Sequence, residues 1–159
     1  MTDPKPTASI PTINWEEVSA RSAIHDRLVA KARPINRAAL LQGLADAGTT
    51  HVSVSFDGYG DSGQIEDIEV TSGDTVVEFP AMEIDWLRAD WNTDQHRNDR
   101  ISLRQAIETV VYDCLEETHL GWEINGGAFG EVTFDVAERT ITLDYNQRYT
   151  DSEYFQHVF

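Results

Sequence analysis

The chain has 159 residues, 28 acids against 12 bases for a net charge of −16, 40% hydrophobic residues and a single cysteine. That apolar content suffices for one folded core and excludes global disorder, while a lone cysteine excludes an intramolecular disulfide or a cysteine-built zinc cage. So negative a surface repels phosphate backbones and anionic lipids, which argues against direct nucleic-acid binding and against a membrane-surface role.

The charge is unevenly spread. Through Thr50 there are five acids and six bases; from His51 onward there are 23 acids and six bases. The favoured partner is therefore a basic protein surface or a cation, facing the later two thirds. No stretch approaches the roughly 18 apolar residues of a membrane span. The opening MTDPKPTASIPTIN has neither the basic nor the apolar region of a signal peptide. With the lone cysteine, this predicts a cytoplasmic protein.

Residues 1–13, rich in proline and small polar residues, read as a flexible arm. Residues 14–159 read as a single α+β domain. Asn14 is a candidate cap for a helix starting at Trp15, with Glu16 and Glu17 in its first turn. Trp15, Val18, Ile24 and Leu28 mark its apolar side, and Arg33-Pro34 is its expected end. A second helix follows from Ile35, carrying Ala38, Ala39, Leu41, Leu44 and Ala45, with Gly48 as its stop. Residues 14–48 thus form an expected helical pair.

Residues 49–159 form the expected acidic sheet-and-helix body. Val52, Val54 and Phe56 alternate with polar residues, the mark of a half-buried strand. Three glycines in Asp57–Gly63 predict a loop, Ile65–Val70 the returning strand, and Thr75–Phe79 a third strand, together a β-meander. Glu83–Asp90 reads as a short helix. From Ser102 to His119, Leu103, Ile107, Val110, Val111, Cys114 and Leu115 recur at helical spacing, so Cys114 reads as core rather than nucleophile. Val132, Phe134 and Val136, then Ile141, Leu143 and Tyr145, alternate as a C-terminal hairpin. Its outward positions are Glu131, Thr133, Asp135, Thr140, Thr142 and Asp144. Tyr154–Phe159 reads as an edge strand. The fold class is an antiparallel sheet, meander plus C-terminal hairpin, packed against helices.

Chemistry-bearing patterns are sparse. The five histidines form no His-x-x-x-His pair, no serine sits in Gly-x-Ser-x-Gly, and the glycine-rich Gly121–Gly130 stretch lacks the lysine of a phosphate loop. Trp122 and Phe129 within it read as packing the helix onto the sheet. Asp57, Asp61, Glu66, Asp67 and Glu69 gather on the glycine-rich hairpin, a composition that suits a hard cation. Yet the spacing departs from an EF-hand loop, with Tyr59, Ser62 and Ile68 at the third, sixth and twelfth places. No cofactor is implied, and catalysis is not the expected role.

The run Asp57-Gly58-Tyr59-Gly60-Asp61-Ser62-Gly63-Gln64-Ile65-Glu66 resembles a motif of uncharacterised small acidic bacterial proteins often carried on plasmids, prophages and other mobile elements. Gly121-Trp122-Glu123 with Gly126-Gly127 and Gly130, Phe134-Asp135-Val136, Glu138-Arg139-Thr140 and Tyr145–Thr150 are similar too. The resemblance covers about 51–159. Met82–Arg100 looks longer and less regular than the family pattern. The resemblance brings no activity; it implies an accessory protein of a mobile element, a setting in which antagonists of host defence are frequent.

Together these features predict a non-catalytic acidic protein-binding module, an inhibitor of a nucleic-acid-binding host protein acting by DNA mimicry. Its expected contact residues are Asp57, Asp61, Glu66, Asp67 and Glu69 on the hairpin, with Asp113, Glu116 and Glu117 on the long helix. The alternative is a divalent-cation-binding or metal-dependent hydrolytic domain using Asp57, Asp61 and Glu66. A homodimer through the helical pair is a third expectation.

Overall fold

The computed structural model describes residues 12–60, 62–124 and 126–159. Most of the expected N-terminal arm, residues 1–11, lies outside the described residues, as does Asp61. The described chain is α+β, as the patterning predicts: two helices, a five-stranded antiparallel sheet and a separate two-stranded one.

Asn14 caps α1 (Trp15–Asp46), its side chain accepting from the Glu17 amide at 3.3 Å. The expected break at Arg33-Pro34 does not occur; in place of a helical pair there is one helix of 32 residues running through Pro34. A proline inside a helix removes one hydrogen bond and costs about 3 kcal/mol. Contacts on both sides of it offset that cost. Arg33 and Arg37 grip Glu117 at 2.8 and 2.7 Å, and the Asn36 amide makes two bonds to the Leu87 backbone. Ala32, Asn36, Leu40 and Leu44, each four residues on from the last, form the buried stripe with Leu41 and Gly43. Ile35, on the expected apolar side, is exposed, as are Trp15 and Val18.

After Gly48 the chain enters β1 (His51–Tyr59), the central strand of the order β3-β2-β1-β6-β7. It pairs antiparallel with β2 (Ser62–Ser72) and β6 (Ala128–Asp135); β2 pairs with the short β3 (Thr75–Val77), and β6 with β7 (Thr140–Gln147). The expected Asp57–Gly63 loop is mostly strand, because Gly58 pairs with Gly63 and Tyr59 with Ser62. These glycines serve packing. Cβ atoms at Gly58 and Gly63 would sit 2.6 and 2.5 Å from the Trp122 ring, so only glycine lets the buried indole lie across the hairpin. Trp122 also meets Phe56 edge-on at 5.5 Å.

The expected Glu83–Asp90 helix is strand β4 (Glu83–Ala89), paired with β5 (His96–Ser102). Ile84 and Trp86 are buried while Glu83 and Asp85 are exposed, an alternation that a strand satisfies and a helix does not. This hairpin lies along the N-terminal half of α1: Arg21 pairs with Asp94 at 2.8 Å, His96 donates to the Leu28 carbonyl at 2.7 Å, and His25 meets Trp91. Asp99 pairs with Arg88 and Arg97, and hydrogen bonding from Arg97 foremost holds its carboxyl below the usual range. Ser102 and Gln105 form a capping box on α2 (Leu103–Thr118). Leu103, Ala106, Ile107, Val110, Val111 and Leu115 of α2 join Val52, Val54, Phe56, Val132 and Phe134 in one buried cluster. No described helix is long and apolar enough to cross a membrane. The expected edge strand at Tyr154–Phe159 does not form; residues 148–159 have no regular structure and Tyr149–Phe159 are exposed.

A candidate acidic binding face

Directly paired residues share a face of the sheet, so strand register alone maps the side turned away from the buried cluster. One row runs Asp67–Ser55–Glu131–Asp144 across β2, β1, β6 and β7. The next runs Glu69–Ser53–Thr133–Thr142. Strands lie about 4.8 Å apart, so the first row spans about 14 Å. Asp67, Glu69, Glu131 and Asp144 are all exposed, and none forms an ion pair among the described residues. Hydroxyls of Ser53, Ser55, Thr133 and Thr142 fill the positions between them.

Each end of the face holds a positive or titratable group. Near the hairpin tip Arg148 clamps the Asp57 carboxylate with two bonds, at 2.9 and 3.2 Å, donates to the Gly58 carbonyl at 3.1 Å, and lies 4.7 Å over the Phe129 ring. At the other end His51 stands 3.4 Å from Asp135. Phe129 therefore sits exposed on this face, whereas Trp122 alone does the packing expected of both.

Of the eight carboxylates that the sequence points to, Asp61 lies outside the described residues, and the other seven are not one surface. Asp67 and Glu69 belong to the outer face and Asp57 to its Arg148-capped end. Glu66 is the residue skipped at the register shift between Ser55 and Phe56, so it escapes the cross-strand rows and lines a cleft with Arg104, Glu108 and Tyr112. Glu116 lies beside Ser62 and Trp122. Asp113 and Glu117 belong to the seam between α1 and α2, where Glu117 is bound by Arg33 and Arg37. Burial raises the Asp113 carboxyl despite those two arginines, and burial likewise raises the Cys114 thiol, which Arg37 approaches at 3.8 Å. A thiol so disposed is poorly ionised and weakly nucleophilic.

Beside that seam a cavity of about 210 Å³ is lined by His25, Asn36, Trp86, Thr109 and Asp113 among others. Among the described residues, no three or more His, Cys, Asp or Glu side chains are grouped to hold a metal ion. Of the proposed cation ligands, Asp57 has both carboxylate oxygens engaged by Arg148.

Glu131 and Asp144 are legible in the sequence as outward positions of the last hairpin. Nothing in it signals that β6 lies against β1, which is what sets them in line with Asp67. Arg148 falls in the Tyr145–Thr150 run of the resemblance, but nothing in the sequence signals its pairing with Asp57, 91 residues away.

A family model described as a family of unknown function (DUF6878) matches residues 32–159, beginning at the first buried residue of α1. No curated protein and no solved structure matches the chain.

Proposed function

Since the chain belongs to this family of unknown function, we propose from its own surface that it is a non-catalytic acidic protein-binding module, docking the outer face of its sheet onto the basic groove of a nucleic-acid-binding protein. The observation that carries this reading is the row of Asp67, Glu131 and Asp144 with Glu69 beside it, exposed carboxylates without cationic partners among the described residues, on a sheet whose other side is packed. Duplex DNA presents about one negative charge per 1.7 Å of axis. Carboxylates spread over about 14 Å of stiff sheet imitate part of such a surface. Hydroxyls between them offer hydrogen bonds where a nucleic acid offers sugar and phosphate oxygens. The resemblance to mobile-element proteins extends the reading to an inhibitor of a host defence factor.

Long-range attraction speeds such an encounter and makes it salt-sensitive. Capture from a bacterial lysate on immobilised protein, followed by elution with duplex DNA, tests the proposal. Nucleic-acid-binding proteins released by DNA are the expected result. Recovery of none, or capture unaffected by DNA, overturns it.

A further inference from the structure

Two complementary features sit at opposite ends of β7. At its start, a groove of about 490 Å³ between α1 and β7 has an apolar floor of Ala38, Leu41 and Ile141 and a rim of Arg33, Arg37 and Arg139. A quarter of the chain's 12 bases therefore border one groove; Arg33 and Arg37 share the single carboxylate of Glu117, so the rim keeps a net positive charge. Arg139 donates to the neutral Gln42 amide oxygen at 2.7 Å and forms no ion pair among the described residues. At the other end of β7 the chain leaves as an arm, Tyr149–Phe159, with every residue exposed. The arm carries Asp151 and Glu153, no lysine or arginine, and five large apolar or aromatic side chains, Tyr154 at 85% and Val158 at 91% exposure. Such apolar area in water marks an interaction segment. An acidic, aromatic arm and an arginine-rimmed apolar groove are complementary.

The arm does not start near its own groove. Arg148 is pinned at the hairpin tip by Asp57, Gly58 and Gly127, and Ile141 lies seven residues back along the chain, about 23 Å away. A second copy solves this geometry. Among the described residues β7 is an edge strand, paired only with β6, and two such edges related by a two-fold axis run antiparallel. Each arm then departs beside the groove of the other copy. The register centred on Leu143 opposite its counterpart keeps like faces together. It sets Thr142 against Asp144, whereas centring on Asp144 would oppose two carboxylates.

We propose that two copies of this chain pair antiparallel along β7 about Leu143 and exchange C-terminal arms, the acidic aromatic segment Tyr149–Phe159 of each seating in the Arg33, Arg37 and Arg139 groove of the other. The pairing joins two copies at the β7 end of the acidic face, where Asp144 lies, and does not depend on what that face binds. Sedimentation velocity of the full chain, from low to high micromolar concentration, tests it with two paired variants: Phe155→Ser with Phe159→Ser on the arm, and Ala38→Glu with Arg139→Glu at the groove. All four positions are exposed, and circular dichroism melts confirm that each variant folds. The expected result is a dimer for the unaltered chain, monomers for each variant alone, and partial recovery of dimer when the variants are mixed, since each supplies what the other lacks. A monomer at every concentration, a dimer that survives either variant, or a mixture that stays monomeric overturns the proposal.

Discussion

Asn36 ties α1 to β4 through a single side chain. Its amide bonds both backbone groups of Leu87, donating to the carbonyl at 2.9 Å and accepting from the amide at 2.8 Å, and it is 7% exposed. Asn36 thereby supplies the bonds that a neighbouring strand would give the open side of β4. Asn36→Ala forfeits two hydrogen bonds, each worth about 1 kcal/mol net, and leaves the Leu87 amide and carbonyl without a protein partner at about 1 kcal/mol or more each. The sum is about 3–4 kcal/mol, or roughly 6–16 °C in Tm for a chain of this size. Asn36→Asp keeps the acceptor but sets a carboxylate oxygen against the Leu87 carbonyl, so at neutral pH it destabilises at least as much. Differential scanning calorimetry at matched protein concentration measures both. A loss below about 1 kcal/mol for Asn36→Ala would refute the claim that Asn36 completes β4 and holds α1 continuous across Pro34.

Gly63→Ala forces a methyl group against the Trp122 ring wedged over the hairpin, and overpacking of this kind costs about 1–3 kcal/mol; urea unfolding with a lowered midpoint and a quenched or shifted tryptophan emission is the expected outcome. Asp113 has its carboxyl raised by burial, so the folded state holds that proton more tightly than the unfolded chain does. Its ionisation therefore disfavours folding, and the contribution of the protonated form is lost as pH rises through the raised value. Asp113→Asn should be more stable than the unaltered chain at pH 7, with the difference shrinking as pH falls into the carboxylate range; melting curves across that interval read it directly.

The parts of this fold that were legible from sequence are those with a clean period. Val52-Ser53-Val54-Ser55-Phe56 and the Leu103–Leu115 pattern each announce one element, and the outward acids of the last hairpin follow from the same alternation. The proline at position 34 misleads because its local penalty is offset by Arg33, Asn36 and Arg37, whose partners stand 51 to 84 residues away. Asn36 also interrupts the buried stripe of α1 with a polar residue, which shifts its apparent apolar face toward Ile35. Glu83–Ala89 is too short for period alone to separate strand from helix, and only pairing with His96–Ser102 decides it. Glycines at 58 and 63 look like loop residues until Trp122 shows why a side chain cannot be present there. The candidate face is half visible in the sequence: Asp67 and Glu69 stand out on the glycine-rich hairpin and Glu131 and Asp144 alternate outward, but the strand order that joins them is a long-range property of the sheet.

Reversing charge on the row tests the binding claim most directly. Asp67→Lys, Glu131→Lys and Asp144→Lys together replace exposed side chains on the outer face and leave the buried cluster untouched. Calorimetric titration of the DNA-displaceable partner into both forms, over a series of salt concentrations, should show binding by the unaltered protein that weakens steeply with salt and no binding by the triple variant. Equal affinity and equal salt dependence for the two proteins would contradict the account and move the interaction off the sheet.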